Sequence, residues 1–479
     1  QRGISVASSV MQMLYREHVI NLLDTPGHRD FSEDTYRVLT AVDSALMVID
    51  AANGVEAQTK RLIEVCRQRD TPIMTFVNKM DREGRDPIEL LDEIEAELGM
   101  PCVPMTWPVG QGKAFGGIIN LRTQTMRVFQ PGEDTVEASA AEEIPLSDTA
   151  TLKARFGADF EHAMANIELL SGVSPAFDRE AFLSAKQTPV FFGSAVNNFG
   201  VQEVLDALVD LAPPPHPRAS SNADGSLTEI APDSEGFSGV VFKVQANMDP
   251  QHRDRIAFVR VCSGKYASGM KLKVVRSGKE MRPTSVVTFL SQRREAVDEA
   301  YAGDIIGFTI HGGVQLGDTI TDGASLQFTG LPFFAPELFQ TVELKNPLKS
   351  KQLQQGLAQL GEEGAIQVFK PQLGSLMLLG AVGQLQFEVV QHRLSTEYKA
   401  EIALKGSQFV GARWVTCDDP AEMKKFMDYN ATKLAYDAAN TLAYLLTSNY
   451  DLRLTQERHP KIQFHPLREH AGLKLEQVV

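Results

Sequence analysis

The sequence has few cysteines, a deficit of positive charge and no long apolar run, and each shortage excludes a class of protein. Its four cysteines, Cys66, Cys102, Cys262 and Cys417, lie too far apart for a zinc site. We therefore expect unpaired thiols in a reducing compartment, the cytoplasm by default. Lysine and arginine number 47 against 61 aspartate and glutamate residues, a net charge of −14. This balance argues against a polycation that grips nucleic acid by charge alone.

No stretch reaches the roughly 18 consecutive apolar residues that span a bilayer, so we expect no membrane association. The first residues also lack the charged, apolar and small-residue pattern of a secretory leader. At 479 residues the chain is long enough for about three domains of roughly 150 residues each. The shortages thus leave a multidomain protein of ordinary globular composition.

The order of apolar patterns predicts three domains. Buried strands at 44–50 and 72–77 alternate with helical patterns at 32–40, 55–69 and 87–98, which predicts a mostly parallel sheet over residues 1–212. An antiparallel hairpin is expected at 6–23, and an insertion at about 107–188. A proline-rich linker follows at 213–236, semi-rigid and then flexible. Short β patterns predict a β-barrel over 237–330, and mixed patterns an α+β domain over 331–479.

The first chemical motif directly follows the apolar strand at 19–23 and consists of Asp24, Thr25, Pro26, Gly27 and His28. A carboxylate at the carboxyl end of a strand can hold Mg²⁺ through water. A glycine lets its backbone N–H approach a terminal phosphate without interference from a Cβ. His28 would then face an attacking water. The alternative is an ordinary Asp-Thr-Pro-Gly β-turn followed by a surface histidine.

The second motif, Asn78, Lys79 and Asp81 in an NKxD pattern, follows the buried strand at 73–77. An aspartate carboxylate can accept two hydrogen bonds from the N1–H and the exocyclic amino group of guanine, whereas adenine presents an acceptor at N1. Lys79 would lie along the base and Asn78 would brace the neighbouring loops. The alternative is a solvated ion pair of Lys79 and Asp81 at the start of a helix.

A third element, Ser194 and Ala195 after Gly193, closes the strand at 189–192, where backbone N–H groups could meet the guanine O6. Alone, it is also typical of a turn. All three elements follow predicted sheet strands, and the carboxyl ends of strands are where α/β sheets bind ligands.

Together these motifs resemble the translational GTPases. Gly3, Ile4 and Ser5 come first in the same order, followed by the three elements above. Residues 260–265 of the barrel and the ending at 456–458 and 468–470 resemble the peptide chain release factor 3 branch of that family. The resemblance extends over essentially the whole chain.

The resemblance implies an α/β P-loop-type GTPase domain followed by a β-barrel and an α+β domain. It also implies a GTPase that binds the ribosome, promotes departure and recycling of class I release factors, and needs the ribosome for activity. Ser5 is similar to the switch I residue that reaches Mg²⁺, Asp24 and Gly27 to the switch II contacts with Mg²⁺ and the γ-phosphate, and His28 to the residue that positions the hydrolytic water. GTP, GDP and guanosine tetraphosphate share the base, so we expect all three to compete. A monomer is expected.

The sequence departs from the family in one respect, because no GxxxxGK[ST] phosphate loop occurs in it. We expect an upstream segment that supplies this loop; the alternative is a truncated molecule that binds nucleotide poorly. Two other functions stay open: a relative of elongation factor G or of the ribosomal protection proteins, which continue into further domains, and a nucleotide-free binding module.

Basic residues in turns of the second and third domains are candidates for contact with ribosomal RNA phosphates. They form three groups: Arg253 with Arg255, Arg293 with Arg294, and Lys349 with Lys351. The alternative is solvated loop charge. Trp107 and Trp414 are expected in hydrophobic cores.

Overall fold

The computed structural model describes residues 8–27, 32–130, 142–222, 224–246, 255–283, 286–290, 293–310, 313–374 and 377–468. The chain forms two compact units. The first comprises Gln1–Met13, Ile20–Ala41 and Pro215–Val479, and the second Leu14–Val19 and Val42–Pro214. Each unit has a hydrophobic core of its own.

The first described elements are a hairpin and a helix. They are β1 (Ser9–Tyr15), β2 (His18–Asp24) and α1 (Ser32–Thr40). Arg16 and Glu17 between the strands have φ angles of 46° and 62°, the left-handed conformation of a two-residue hairpin turn. The expected hairpin is therefore present.

The hairpin extends a sheet of the first unit. β1 pairs in parallel with the strand Val286–Leu290, and Gln12 lies opposite Leu290. The side chain of Gln12 also accepts a hydrogen bond from the hydroxyl of Thr288 at 2.8 Å. A strand edge with unpaired N–H and C=O groups can pair with another such edge, and here β1 pairs with the strand Val286–Leu290 of the barrel. The sequence pattern places this hairpin in the domain of the parallel sheet, and the limits of the GTPase domain stay a prediction.

The second unit contains the parallel sheet that the sequence predicts. Its elements in chain order are β3 (Ala45–Asp50), α2 (Ala57–Gln68), β4 (Ile73–Asn78), α3 (Pro87–Leu98), β5 (Cys102–Pro104), β6 (Thr106–Val109), β7 (Gly117–Asn120), β8 (Thr125–Val128), β9 (Glu143–Pro145), α4 (Thr149–Val173), α5 (Arg179–Leu183), β10 (Thr188–Phe192) and α6 (Val201–Leu211). The parallel strands run in the order β3, β4, β10, β5. β4 and β10 are almost wholly buried, which explains their continuous apolar sequences.

Local signals set the helix ends in this unit. α3 begins after Asp86, whose carboxylate accepts the Ile88 N–H, and Pro87 occupies its first position. It ends at Gly99, which has a φ of 63°. The expected insertion is a separate antiparallel sheet, β6 to β9 in order, followed by α4 and α5. Trp107 on β6 is only 1% exposed, as a core residue should be.

The first unit continues with a β-barrel. The strands of this part of the chain are β11 (Arg218–Asn222), β12 (Leu227–Ile230), β13 (Ser238–Ala246), β14 (Arg255–Ser263), β15 (Lys265–Ala267), β16 (Leu272–Val274), β17 (Lys279–Met281), β18 (Val286–Leu290), β19 (Arg293–Ala296), β20 (Glu299–Tyr301), β21 (Ile305–Ile310), β22 (Thr319–Thr321) and β23 (Leu326–Phe328). One sheet contains β13, β14, β16 to β19, β21 and β22 together with β1 and β2, whereas β11, β12 and β23 form a second sheet and β15 pairs with β20 alone. The barrel prediction is confirmed. The segment expected to be a flexible linker instead holds a hairpin, because β11 pairs with both β12 and β23 and so satisfies its backbone on two sides.

The α+β domain completes the first unit, as predicted. Its elements are β24 (Phe333–Phe334), β25 (Leu338–Leu344), α7 (Ser350–Glu362), β26 (Gln367–Pro371), β27 (Leu378–Ala381), α8 (Gln384–Thr396), β28 (Ile402–Gly406), β29 (Gly411–Thr416), α9 (Pro420–Tyr429), β30 (Leu434–Tyr436), β31 (Leu442–Leu446), α10 (Asn449–Arg458), β32 (Gln463–His465) and β33 (Leu467–Arg468). α7 and α8 pack on the core formed with β27. Trp414 is 1% exposed.

Candidate functional site: the carboxyl edge of the parallel sheet

The candidate base-binding loops begin where two neighbouring parallel strands end. β4 and β10 lie in register, with Val77 opposite Phe192. The carboxyl ends of parallel strands meet at one edge of a sheet, so the loops that follow them are adjacent. The backbone N–H of Met80 donates to the carbonyl of Gly193 at 3.1 Å, which ties the two loops together. The structure thus unites the predicted residues Asn78, Lys79, Asp81, Ser194 and Ala195.

Asn78 braces these loops through a single atom. Its Oδ1 accepts the backbone N–H of Lys79 and that of Ala195, both at 2.8 Å. The second bond spans 117 residues of sequence. This is the bracing contact expected of Asn78, and it fixes the spacing between the two loops. It also corrects one expectation: the Ala195 N–H donates to Asn78, and the Ser194 N–H donates to the carbonyl of Phe199 at 2.9 Å, so neither is the free donor to guanine O6 that the sequence predicts.

The Asp81 carboxylate is held in a defined orientation. The hydroxyl of Ser194 donates to Asp81 Oδ1 at 2.6 Å. Asn197 Nδ2 donates in turn to Ser194 Oγ at 2.7 Å, which leaves the hydroxyl proton for Asp81. Ser194 is 0% exposed, whereas Asp81 is half-buried. Among the described residues nothing donates to Asp81 Oδ2, so this atom is available to an incoming donor such as a guanine N–H.

Gly193 has no room for a side chain. A Cβ at this position would collide with the carbonyl oxygen of Phe199 and would lie 2.9 Å from the ring of Phe76. The backbone N–H of Gly193 donates to the carbonyl of Val77 at 3.0 Å. The glycine therefore allows the close packing that brings Ser194 to Asp81.

Lys79 has a partner that the sequence did not reveal. Its φ is 70°, and its Nζ lies 2.6 Å from Asp50 Oδ2 at the end of β3. The hydrogen bond from Lys79 lowers the pKa of Asp50 from its ordinary value. A carboxylate at the end of the strand next to β4 was the available signal, because adjacent parallel strands end at one edge. Asp50 holds the lysine along this edge.

The Asp24–Gly27 loop belongs to the first unit. Asp24 ends β2 and is exposed, and nothing among the described residues donates to its carboxylate. Pro26 is buried, and its carbonyl accepts the hydroxyl of Thr35 at 3.2 Å. A Cβ at Gly27 would meet nothing within 4 Å, so no protein neighbour demands a glycine there. Thr25 lies between Asp24 and Pro26 and is half-buried.

These features fit the ligand set that Mg²⁺ takes up, since that ion uses one or two carboxylates together with water and substrate phosphates. A fully protein-built metal cage is not needed: within the described ranges no group of three or more His, Cys, Asp or Glu side chains could hold a metal ion. His28 and Ser5 lie outside the described residues. The roles expected of both stay predictions.

The structure corrects one candidate for RNA contact. The Arg255 side chain is 8% exposed, and its Nη1 pairs with Glu362 Oε2 at 2.6 Å. A buried guanidinium needs a carboxylate partner, so Arg255 serves the packing of the first unit and not an RNA surface. Lys351 is exposed and Lys349 half-exposed. Arg253 and the side chains of Arg293 and Arg294 lie outside the described part of the chain.

No helix in the described part of the chain combines the length and the apolar character that a bilayer crossing requires. Family models match three consecutive segments. Residues 1–214 match the "Elongation factor Tu GTP binding domain", residues 236–323 match "Elongation factor G domain 2", and residues 328–456 match "Class II release factor RF3, C-terminal domain".

Curated relatives match nearly the whole chain. A "Peptide chain release factor 3" of Bordetella pertussis is 63% identical over 473 residues, which cover 98% of this chain and 87% of the relative. The protein of the same name from Nitrosomonas europaea is 62% identical and covers 99% and 88%. A solved crystal structure from Thermus thermophilus aligns with a TM-score of 0.66 at 22% identity, over 87% of this chain and 63% of that one. That last likeness shows the fold alone.

Proposed function

The chain belongs to the peptide chain release factor 3 family, and on that premise we propose that it is a ribosome-dependent GTPase of translation termination. It binds GTP, hydrolyses it on the ribosome, and promotes the release and recycling of class I peptide chain release factors. The C-terminal match favours this function over that of an elongation factor G or a ribosomal protection protein. Its place of action is the cytoplasm, where ribosomes terminate, and it acts as a monomer.

The observation that carries the guanine specificity is the orientation of Asp81. Ser194 donates to one carboxylate oxygen at 2.6 Å, and the other oxygen has no donor among the described residues. Guanine offers two N–H donors to such a carboxylate, whereas adenine offers an unprotonated N1 that would leave it unpaired. The hydrogen bond from the Ala195 N–H to Asn78 fixes the loop that would border the base. The alkyl chain of Lys79 would lie along the base. Complete burial of an unpaired polar group supports rejection of the wrong base by about 10⁴-fold, and for the half-buried Asp81 we expect at least ~10³-fold.

Hydrolysis is assigned to the Asp24–His28 loop. Asp24, together with Ser5, would hold Mg²⁺, which when bound neutralises charge on the β- and γ-phosphates. The backbone N–H of Gly27 would approach the γ-phosphate, where no Cβ stands in the way. His28 would orient the attacking water. The base contacts do not involve the γ-phosphate, so GDP and guanosine tetraphosphate compete with GTP for Asp81.

Two measurements test this function, and the parent in these and all later tests is the protein extended upstream to include the expected phosphate loop. Equilibrium dialysis should show GDP bound at least ~10³-fold more tightly than ADP, and purified ribosomes should stimulate GTP hydrolysis. The variant His28→Ala should retain GDP affinity and lose the stimulated hydrolysis. Equal binding of ADP, or an unchanged rate in His28→Ala, would remove the proposal.

A further inference from the structure

Helix α1, which follows the Asp24–His28 loop in sequence, carries buried charges that the proposed nucleotide contacts do not use. Glu33 is 4% exposed and Arg37 is 2% exposed. Burial of a charge costs several kcal/mol unless the group is paired and hydrogen-bonded. On an exposed helix of nine residues these charged side chains would stay in water. The partners of Glu33 and Arg37 therefore indicate which part of the protein holds α1.

The partners come from the C-terminal α+β domain of the same unit. Arg37 Nη2 lies 3.4 Å from Glu33 Oε2, and Arg37 Nη1 donates to the carbonyl of Gly364 at 3.3 Å. Gln367 Nε2 donates to Glu33 Oε1 at 3.2 Å and to the carbonyl of Phe334 at 2.6 Å. These four hydrogen bonds form one connected network, which we call the α1 clamp (Glu33, Arg37, Phe334, Gly364, Gln367).

Aromatic contacts complete the clamp. The guanidinium groups of Arg37 and Arg468 lie 5.5 Å and 4.5 Å from the centre of the Phe333 ring. The rings of Tyr36 and Phe334 are 4.9 Å apart. Contacts of a cation with an aromatic face are stronger where the cation is shielded from water, and both guanidinium groups are buried here. The helix is thus attached to the domain by polar and apolar contacts at once.

The same helix is also attached to the loop. Thr35, between Glu33 and Arg37, donates its hydroxyl to the carbonyl of Pro26 at 3.2 Å. On the barrel side, Asp34 Oδ2 accepts the backbone N–H of Ser8 at 2.6 Å. A movement of α1 relative to the C-terminal domain would therefore change the position of the Asp24–Gly27 loop.

We propose that Glu33, Arg37 and Gln367 are positioning residues for GTP hydrolysis: the C-terminal domain holds α1, and α1 holds the hydrolytic loop. This inference rests on the proposed role of that loop. Displacement of a reacting group by about 1 Å can reduce a rate by about 10²-fold. Base recognition at Asp81 depends on none of the clamp residues. Loss of the clamp should therefore lower the rate of hydrolysis and leave GDP affinity unchanged.

The sharpest variant is Gln367→Met, which keeps the length of the side chain and removes the donor to Glu33. Gln367 is half-buried, so the change creates no large cavity. Lys370→Met, at an exposed position of the same strand, is the matched control. We expect single-turnover GTP hydrolysis on ribosomes to fall about tenfold in Gln367→Met. The GDP dissociation constant should stay within about twofold of the parent, and the control should match the parent in both.

Gly364→Ala gives a second test. An added Cβ would collide with the Arg37 guanidinium and would lie 2.7 Å from Leu316 Cδ1, and Gly364 has a φ of 73°. Gly278 has a φ of 67° but nothing within 4 Å, so Gly278→Ala introduces similar backbone strain without the collision. We expect Gly364→Ala to hydrolyse GTP more slowly than the parent and Gly278→Ala to match the parent. The GDP affinity of both variants should equal that of the parent.

The outcomes separate the two proposals. Absence of ribosome-stimulated hydrolysis in the parent would overturn the proposed function. An active parent with a parental rate in Gln367→Met would overturn the clamp alone. Equal losses of rate and GDP affinity in Gln367→Met would show general damage and would also overturn the positioning role.

Discussion

Asp81→Asn tests the proposed guanine contact most directly, because the hydrogen bonds around Asp81 determine how the new amide would be oriented. The Ser194 hydroxyl receives a hydrogen bond from Asn197, so its own proton is directed to Oδ1 of residue 81 at 2.6 Å. An amide in place of the carboxylate would keep its oxygen on Ser194. Its NH₂ group would then replace Oδ2, the atom that is available to the base.

The size of the effect follows from that orientation. A hydrogen bond to a charged group contributes about 1.5–3 kcal/mol, and up to two such bonds to guanine are lost or reversed. The loss of about 3–6 kcal/mol corresponds to a GDP affinity lower by roughly 10² to 10⁴-fold. Xanthine carries a carbonyl where guanine carries its amino group, so the amide donor would meet an acceptor. Xanthosine diphosphate should therefore bind the variant better than GDP does.

The assay is equilibrium dialysis of GDP and xanthosine diphosphate against the parent, Asp81→Asn and the control Asp92→Asn. Asp92 lies exposed on α3, away from the sheet edge, and its variant should bind GDP like the parent. Should Asp81→Asn keep parental GDP affinity, or gain nothing for xanthosine diphosphate, the assignment of this carboxylate to the base would be wrong.

Three further predictions concern other described residues. Asp50→Asn should weaken GDP binding about three- to tenfold by isothermal calorimetry, because it releases Lys79. Burial would raise the pKa of Asp451, but hydrogen bonds from Lys433 and Thr447 outweigh it and lower that pKa. Asp451→Asn should then cost about 1–2 kcal/mol of unfolding free energy above about pH 4, and urea titrations should show that cost vanishing as the pH falls through the lowered pKa. Lys351→Met should make the slope of log K for ribosome binding against log salt concentration shallower by about one, measured in filter-binding assays.

The proximity of the residues proposed to contact the base could be predicted because each motif is short and directly follows a strand. Asn78, Lys79 and Asp81 stand at the end of a buried apolar strand or just after it, and Ser194 and Ala195 closely follow another. Alternating strands and helices predict a parallel sheet, and parallel strands end at one edge. The structure adds the pairing of β4 with β10, which brings the two motifs together. The sequence therefore sufficed to predict that these residues lie together, while the hydrogen bond from Ser194 to Asp81 required coordinates. Their contact with the base stays a prediction.

Residues that act through a distant partner could not be identified in this way. Arg255 looks like a loop cation in sequence, and its burial depends on Glu362, which lies far along the chain. Glu33 and Arg37 resemble an ordinary i,i+4 pair on a helix surface. Their function as a clamp depends on Gln367, which is 334 positions from Glu33. Charge in sequence does not reveal burial, and burial decides whether a charge binds a partner within the protein or one outside it.

The hairpin β11–β12 shows the same limit for the backbone. Ser, Asn, Asp and Gly residues favour turns and flexible linkers, and they dominate the composition of residues 218–228. What makes β11 a strand is β23, far along the chain, which pairs with it from Ser220 to Asn222. β11 thus has β12 on one side and β23 on the other, so its N–H and C=O groups find partners despite a poor strand composition. β11 is therefore a strand because of its partners and not because of its own composition. Pairing with a partner far along the chain likewise places β1 beside β18.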